Sequence, residues 1–164
     1  MNRYFVLLAL LTVLLSGCAS IDGLGLKPGI ATETDVRHLM GDPSLEWSEA
    51  TGEKVLAYPR GPIGLQTFMV RLDKNDRLIV IDQVLNDKHF NKIQAGFNET
   101  QVTRLIGRPY RIIPFKRKQE IAWDYRYQDD WGYSSVFSVI FNETGIVKTA
   151  VRIREERRYP FQPF

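Results

Sequence analysis

One short stretch is written twice in this chain. It appears first as Gly29-Ile30-Ala31-Thr32-Glu33-Thr34-Asp35-Val36-Arg37-His38-Leu39-Met40-Gly41-Asp42-Pro43 and again as Gly96-Phe97-Asn98-Glu99-Thr100-Gln101-Val102-Thr103-Arg104-Leu105-Ile106-Gly107-Arg108-Pro109. With a single-residue gap after the apolar second position, Glu33/Glu99, Thr34/Thr100, Val36/Val102, Leu39/Leu105, Gly41/Gly107 and Pro43/Pro109 coincide. A chain that repeats itself at this spacing is expected to build one folding unit twice.

Each copy carries the signals of a short capped helix. Thr32 and Asn98 stand as N-caps, and Asp35 and Gln101 three positions on complete a capping-box pattern. Val36, Leu39 and Met40, like Val102, Leu105 and Ile106, form an apolar stripe at i, i+3, i+4. Gly41 and Gly107 fall where a left-handed residue ends a helix, and a proline two residues later forbids continuation. These signals build a fold and carry no chemistry of their own.

The residues after each helix read as antiparallel strands. In the first unit they are Leu45–Glu49, Lys54–Tyr58, the alternating run 65–72 and its return 78–85, giving three or so strands in a meander. Phe68, Val70 and Leu72 would line one face of a half-buried strand, with Thr67, Met69 and Arg71 on the other. Asn86 or Asp87 caps a second short helix bearing Phe90 and Ile93, after which the motif restarts. The second unit then offers Tyr110–Phe115, a basic turn at Lys116-Arg117-Lys118-Gln119, Ile121–Tyr127, Ser135–Phe141 and Ile146–Ile153. Phe68/Phe137, Leu72/Phe141, Asp73/Asn142 and Leu78/Val147 correspond, so the repetition runs on into the sheets.

With 22 basic and 19 acidic residues, the balance is too even to predict a nucleic-acid partner. The lone cysteine, Cys18, excludes an internal disulfide and a multi-cysteine metal site. It follows a positive Asn2-Arg3, an apolar run from Tyr4 to Leu15 and the small residues Ser16-Gly17. That pattern is a signal peptide, and the run is shorter than the roughly 20 residues a spanning helix needs. Leu15-Ser16-Gly17-Cys18 resembles a bacterial lipobox, which implies cleavage before Cys18 and acyl chains on it. At about 0.8 kcal/mol per buried methylene, several chains anchor a protein stably. Ala19 after the cysteine, by resemblance to sorting rules, implies the outer membrane with the domain facing the periplasm.

No catalytic constellation emerges. His38 and His89 stand alone as surface or helix-terminal residues, Asp129-Asp130 solvates a turn, and neither a GxGxxG nor a P-loop pattern is present. The chain is therefore read as a non-enzyme without cofactor or metal. Two loops at equivalent places are richer in content. Tyr58 and Arg60 flank the first, and Tyr125, Arg126, Trp131 and Tyr133 surround the second; Tyr, Trp and Arg are the types favoured at binding hot spots. Tyr125 and Trp131 read equally as covers for core edges. The basic group Arg108, Arg111, Lys116, Arg117 and Lys118 reads as a solvated turn or as a site for anionic headgroups or an acidic partner.

Lys92 to Val102, Gly107-Arg108-Pro109, Trp123-Asp124-Tyr125 and Phe137 to Asn142 together resemble the SmpA/OmlA (BamE-like) family of small outer-membrane lipoproteins. The resemblance implies an α+β fold of two tandem repeats, each with short helices packed on a three-stranded antiparallel sheet, similar to the β-lactamase-inhibitor protein. It divides the chain into a signal peptide (1–17), a lipid-anchored linker (18–28), repeats at 29–85 and 86–153, and a tail (154–164) that either frays or docks. The implied function is a non-catalytic binding scaffold in envelope biogenesis. It would hold the membrane through Cys18 and a protein partner through its loops, with β-barrel assembly machinery as one candidate. The alternatives are a proteinaceous inhibitor or regulator of an envelope hydrolase and a lipoprotein that only stiffens the envelope.

Overall fold

Capping and turn chemistry fix where each element begins and ends. The computed structural model describes residues 22–60 and 64–155, so the signal peptide, Cys18, the centre of the first loop and the tail beyond Glu155 lie outside the described residues. The first half runs α1 (Glu33–Met40), β1 (Leu45–Ser48), β2 (Lys54–Pro59), β3 (Thr67–Leu72) and β4 (Leu78–Gln83). The second runs α2 (Asp87–Phe90), α3 (Glu99–Ile106), β5 (Arg111–Phe115), a 3-10 turn (Lys116–Lys118), β6 (Glu120–Gln128), β7 (Ser134–Asn142) and β8 (Val147–Arg154).

Both capping boxes form. The Asp35 amide donates to Thr32 Oγ1 at 3.3 Å and the Thr32 amide to Asp35 Oδ2 at 2.8 Å; Asn98 and Gln101 exchange the same pair at 2.9 Å each. The glycines that end α1 and α3 differ from the expected left-handed caps. Gly41 sits at φ 82°, ψ −164° and Gly107 at φ 83°, ψ −165°, so positive φ is combined with an extended ψ. That region is essentially closed to any residue with a Cβ. It turns the chain straight into the proline and the first strand.

Each sheet is an antiparallel meander of four strands, β1-β2-β3-β4 and β5-β6-β7-β8, in place of the three-stranded sheet expected. The fourth strand is the segment just after each helix: Leu45–Ser48 pairs fully with β2, and Arg111–Phe115 with β6. Pro114 is tolerated because β5 is an edge. The hairpins β3-β4 and β7-β8 close identically. Asp73 Oδ1 accepts from the amides of Asn75 and Arg77, and Asn142 Oδ1 from those of Thr144 and Ile146. The chain before each helix then pairs with its hairpin, Thr32 bridging to Arg77 and Asn98 to Ile146.

The core is split by the first sheet. One of its faces, with Leu56, Tyr58, Phe68, Val70 and Leu72, packs on Val36 of α1 and on Ala31 just before it. The opposite face contributes Val55, Ala57 and Met69 to a larger cluster with Phe90 of α2, Val102 and Ile106 of α3, and Trp123, Tyr125, Phe137 and Phe141 of the second sheet. The layers therefore run helix, sheet, helices, sheet, with α2 and α3 between the two sheets. It follows that β3 is buried on both faces, Thr67 and Met69 included, and is not the half-buried strand its alternation implied. In the inner cluster Phe90 stacks on Phe137 at 4.1 Å and meets Tyr127 edge-on at 4.8 Å.

Candidate protein-binding surfaces

The β6–β7 loop presents Trp131, whose surface is 81% exposed, on a braced turn. Asp129 builds the brace: its Oδ1 accepts from the amides of Trp131 (3.0 Å) and Tyr133 (2.8 Å). Its Oδ2 accepts from Arg154 Nε at 3.1 Å and Nη2 at 2.9 Å. Burial pushes the Asp129 carboxyl upward, but the Tyr133 amide, the Arg154 guanidinium and the Trp131 amide together hold it below the usual carboxylate range. Gln128 Nε2 donates to the Gly132 carbonyl at 3.1 Å, and the Arg154 guanidinium lies 4.4 Å from the centre of the Tyr133 ring. Trp131 is thus an exposed indole on a loop that has already spent its conformational entropy, the arrangement that favours a binding anchor. Beside it lies a groove of about 330 Å³ lined by Asp87, Tyr127, Asp130 and Arg152.

The other loop residues divide. Tyr58 and Tyr125 are buried in the two core clusters and cannot offer their rings to a partner, which corrects their reading as contact residues. Alternation within β2 and β6 points both side chains at helices, and proximity to a loop hid that. Tyr125 donates its hydroxyl to the Gly107 carbonyl at 3.1 Å, whereas the Tyr58 hydroxyl has no partner among the described residues and burial pushes it up to about 12. Arg60 lies over the Phe68 ring at 4.9 Å. Arg126 donates from Nη2 to Glu155 at 2.5 Å, while its Nε is buried and finds no acceptor among the described residues.

A cleft of about 300 Å³ opens between the halves, lined by Pro59, Leu85, Arg108, Pro109, Tyr125 and Arg126 among others. It could not be found by inspecting loops, since its walls come from both sheets and the α3–β5 connection. The basic group is dispersed: Arg108 lines the cleft, Arg111 pairs with Asp124, and Lys116, Arg117 and Lys118 stand exposed on their turn.

Of the two places expected for the histidines, surface or helix end, His38 is exposed, while His89 sits in the last turn of α2 and is buried there. Its Nε2 lies 3.0 Å from Asp82 of β4 and its Nδ1 2.9 Å from the Asn86 cap, so the ring ties α2 to the first sheet. Among the described residues no cluster of three His, Cys, Asp or Glu side chains could hold a metal, and no helix is long and apolar enough to cross a membrane.

An α+β molecule with two four-stranded antiparallel sheets is the class these features define. Residues 83–150 match the family described as the outer membrane protein assembly factor BamE domain. No curated protein matches the chain. Among solved structures, the chain is similar to a candidate beta-lactamase inhibitor protein from Streptococcus mutans, at 14% identity over 74% of this chain and 82% of that one, with a TM-score of 0.34. It is also similar to YjgB, a DUF4309 family protein from Bacillus subtilis, at 14% identity over 80% of this chain and 84% of that one, with a TM-score of 0.32.

Proposed function

We propose that this chain is a non-catalytic binding scaffold of the outer membrane, anchored through acyl chains on Cys18 and facing the periplasm, and that it serves β-barrel assembly as an accessory. The family match in the second half supports the setting. The matching caps, glycine conformations and hairpins of the first half support reading it as a second BamE-like repeat. The observation that carries the binding role is Trp131, exposed on a loop braced by Asp129 and Arg154. Tyr133, 42% exposed on the same loop, widens that contact.

Two measurements test the reading. Mass spectrometry of the protein from envelopes should find Cys18 as the acylated first residue; a bare thiol removes the anchor. A photo-crosslinking amino acid in place of Trp131 in intact cells should capture a β-barrel assembly component, with Arg117 on the exposed basic turn as the comparison position. Capture of a hydrolase at Trp131 instead would turn the role into inhibition, and identical products from the two positions would remove the loop from recognition.

A further inference from the structure

We infer that the groove beside the Trp131 loop seats a lysine side chain of the partner protein, its ammonium meeting the Asp130 carboxylate, the Tyr127 hydroxyl and the face of the Trp131 ring. The inference rests on reading that loop as a protein contact and names what the contact recognises. The groove holds about 330 Å³, room for one long side chain, and its walls come from β6, the β6–β7 loop, β7, β8 and the start of α2. Within it each guanidinium is already neutralised: Arg152 donates from Nε to Asp87 at 2.8 Å, and Arg154 from Nη2 to Asp129 at 2.9 Å. The remaining carboxylate, Asp130, is exposed and has no cationic partner among the described residues. One negative charge is therefore left over next to an indole that is 81% exposed.

Tyr127 supplies a second, independent sign of a ligand. The residue is 3% exposed and its ring meets Phe90 edge-on, yet it lines the groove and its hydroxyl makes no hydrogen bond to a described residue. Unlike the Tyr58 hydroxyl it is not sealed from solvent, so an incoming group can reach it. Burial raises its pKa above the ordinary tyrosine value, and Asp87, Asp129 and Asp130 push it further up against Arg152, so the potential at this hydroxyl is negative. A cation fits that field and a second anion does not. An ammonium carries three donors and no acceptor on a flexible stem, which suits acceptors supplied by different elements, here a loop carboxylate and a strand hydroxyl. The indole face adds the cation–π attraction that Trp supplies best.

The test uses the full chain in dodecyl maltoside micelles, with NMR of the indole Nε1–H groups. The probe is the capped peptide Gly-Lys-Gly, compared with the same peptide acetylated on the lysine and with methyl glucoside. The lysine peptide should move the Trp131 signal, leave those of Trp47 and Trp123 in place, and bind about fivefold more tightly than the acetylated one, as an exposed ion pair with a cation–π contact implies. Asp130→Asn should lower that affinity by a similar factor and Tyr127→Phe by about threefold, neither changing the melting temperature. Glu143→Gln, an equal loss of charge at the exposed β7–β8 turn, should leave it unchanged. Equal affinity for the two peptides, no shift at tens of millimolar peptide, a response to the glucoside alone, or a loss at Glu143→Gln equal to that at Asp130→Asn would overturn the assignment. Crosslinking at position 131 in cells separates the two readings: a partner captured there as efficiently with Asp130→Asn as without it would keep the loop as a protein contact and remove the lysine pocket.

Discussion

The Arg111 guanidinium donates to the Asp124 carboxylate at 3.1 and 2.7 Å on the outer face of the second sheet, at the sheet positions that Leu45 and Ala57 occupy in the first. Registers in the two sheets make the equivalence a row. Leu45, Ala57, Met69 and Asp82 lie side by side in one; Arg111, Asp124, Ser138 and Val151 lie side by side in the other. In the first sheet that row is covered by α2 and α3. In the second, Ser138 donates to Asp124 Oδ1 at 2.5 Å, so hydrophobic packing is replaced by a satisfied polar network. In the proposed two-repeat reading, a polar outer face on the last unit is what ends the array.

Restoring the first half's residues should therefore undo the ending. The triple variant Arg111→Leu, Asp124→Ala, Ser138→Met removes all partners of the network together, so no buried charge is left behind. It should remain folded and self-associate with rising concentration, as an enlarged exposed apolar patch does. Sedimentation velocity checks it; a monomer across the whole concentration range would show that the network has no such role. Arg111→Ala alone should instead stay monomeric and lose about 1–3 kcal/mol, because a buried carboxylate then keeps only one donor.

Gly41 and Gly107 share a backbone conformation to within a degree, but their surroundings differ. A Cβ at Gly41 would meet nothing within 4 Å, while one at Gly107 would lie 3.0 Å from Thr67 Cγ2 and 3.6 Å from Met69 Cε. Alanine at either position forces the Gly-only conformation, worth about 1–3 kcal/mol. Gly107→Ala should cost more than Gly41→Ala, since α3 must also lift from the first sheet. Urea denaturation of both variants checks the order, and equal losses would mean that the halves have slack at this contact.

Local chemistry was legible; the stacking of layers was not. Thr32, Asn98, Gly41, Gly107, Asp73 and Asn142 act within a few residues of themselves, so their roles follow from order along the chain. Even there, a glycine says only that φ is positive, and the extended ψ at Gly107 is set by the sheet it enters. The alternation in β3 suggested one wet face, because nothing in Thr67-Phe68-Met69-Val70 announces that helices from the other half will cover Met69. The burial of His89 was hidden for the same reason: its acceptor Asp82 belongs to the first half. Of the candidate contact residues, Trp131 and Tyr133 are exposed, while Tyr58 and Tyr125 are core, a distinction that depends on which face of β2 and β6 meets a helix.

Tyr58 and Tyr125 occupy equivalent places, paired across to Phe68 and Phe137, yet of the two only Tyr125 has a hydrogen-bond partner among the described residues. Tyr125→Phe removes the donor that satisfies the Gly107 carbonyl and should destabilise by about 0.5–1.5 kcal/mol. Tyr58→Phe removes a buried hydroxyl that has no partner among the described residues, so stability should be unchanged or rise. Thermal melts of the two variants decide it; a loss for Tyr58→Phe matching that for Tyr125→Phe would mean that the Tyr58 hydroxyl does find a partner.

His89 should make the joint between the halves acid-sensitive. Burial lowers its pKa below the ordinary histidine value; Asp82 pulls it upward, and Lys92 and Lys88 add to the lowering. Because the folded value is the lower one, the unfolded chain takes up its proton first as pH falls. The contribution is fully present well above the unfolded value of about 6.5 and shrinks as pH drops through it toward the folded value. Carboxyls lowered in the folded state, Glu33 and Asp73 among them, begin to cost stability only below their ordinary values of 4.5 and 3.8, which separates the two windows. Urea midpoints should therefore fall between about pH 7.5 and pH 5. His89→Gln, which removes the titrating ring while retaining an amide donor, should flatten that slope. An unchanged slope in the variant would assign the acid sensitivity to other groups and leave the contact between His89 and Asp82 a matter of packing alone.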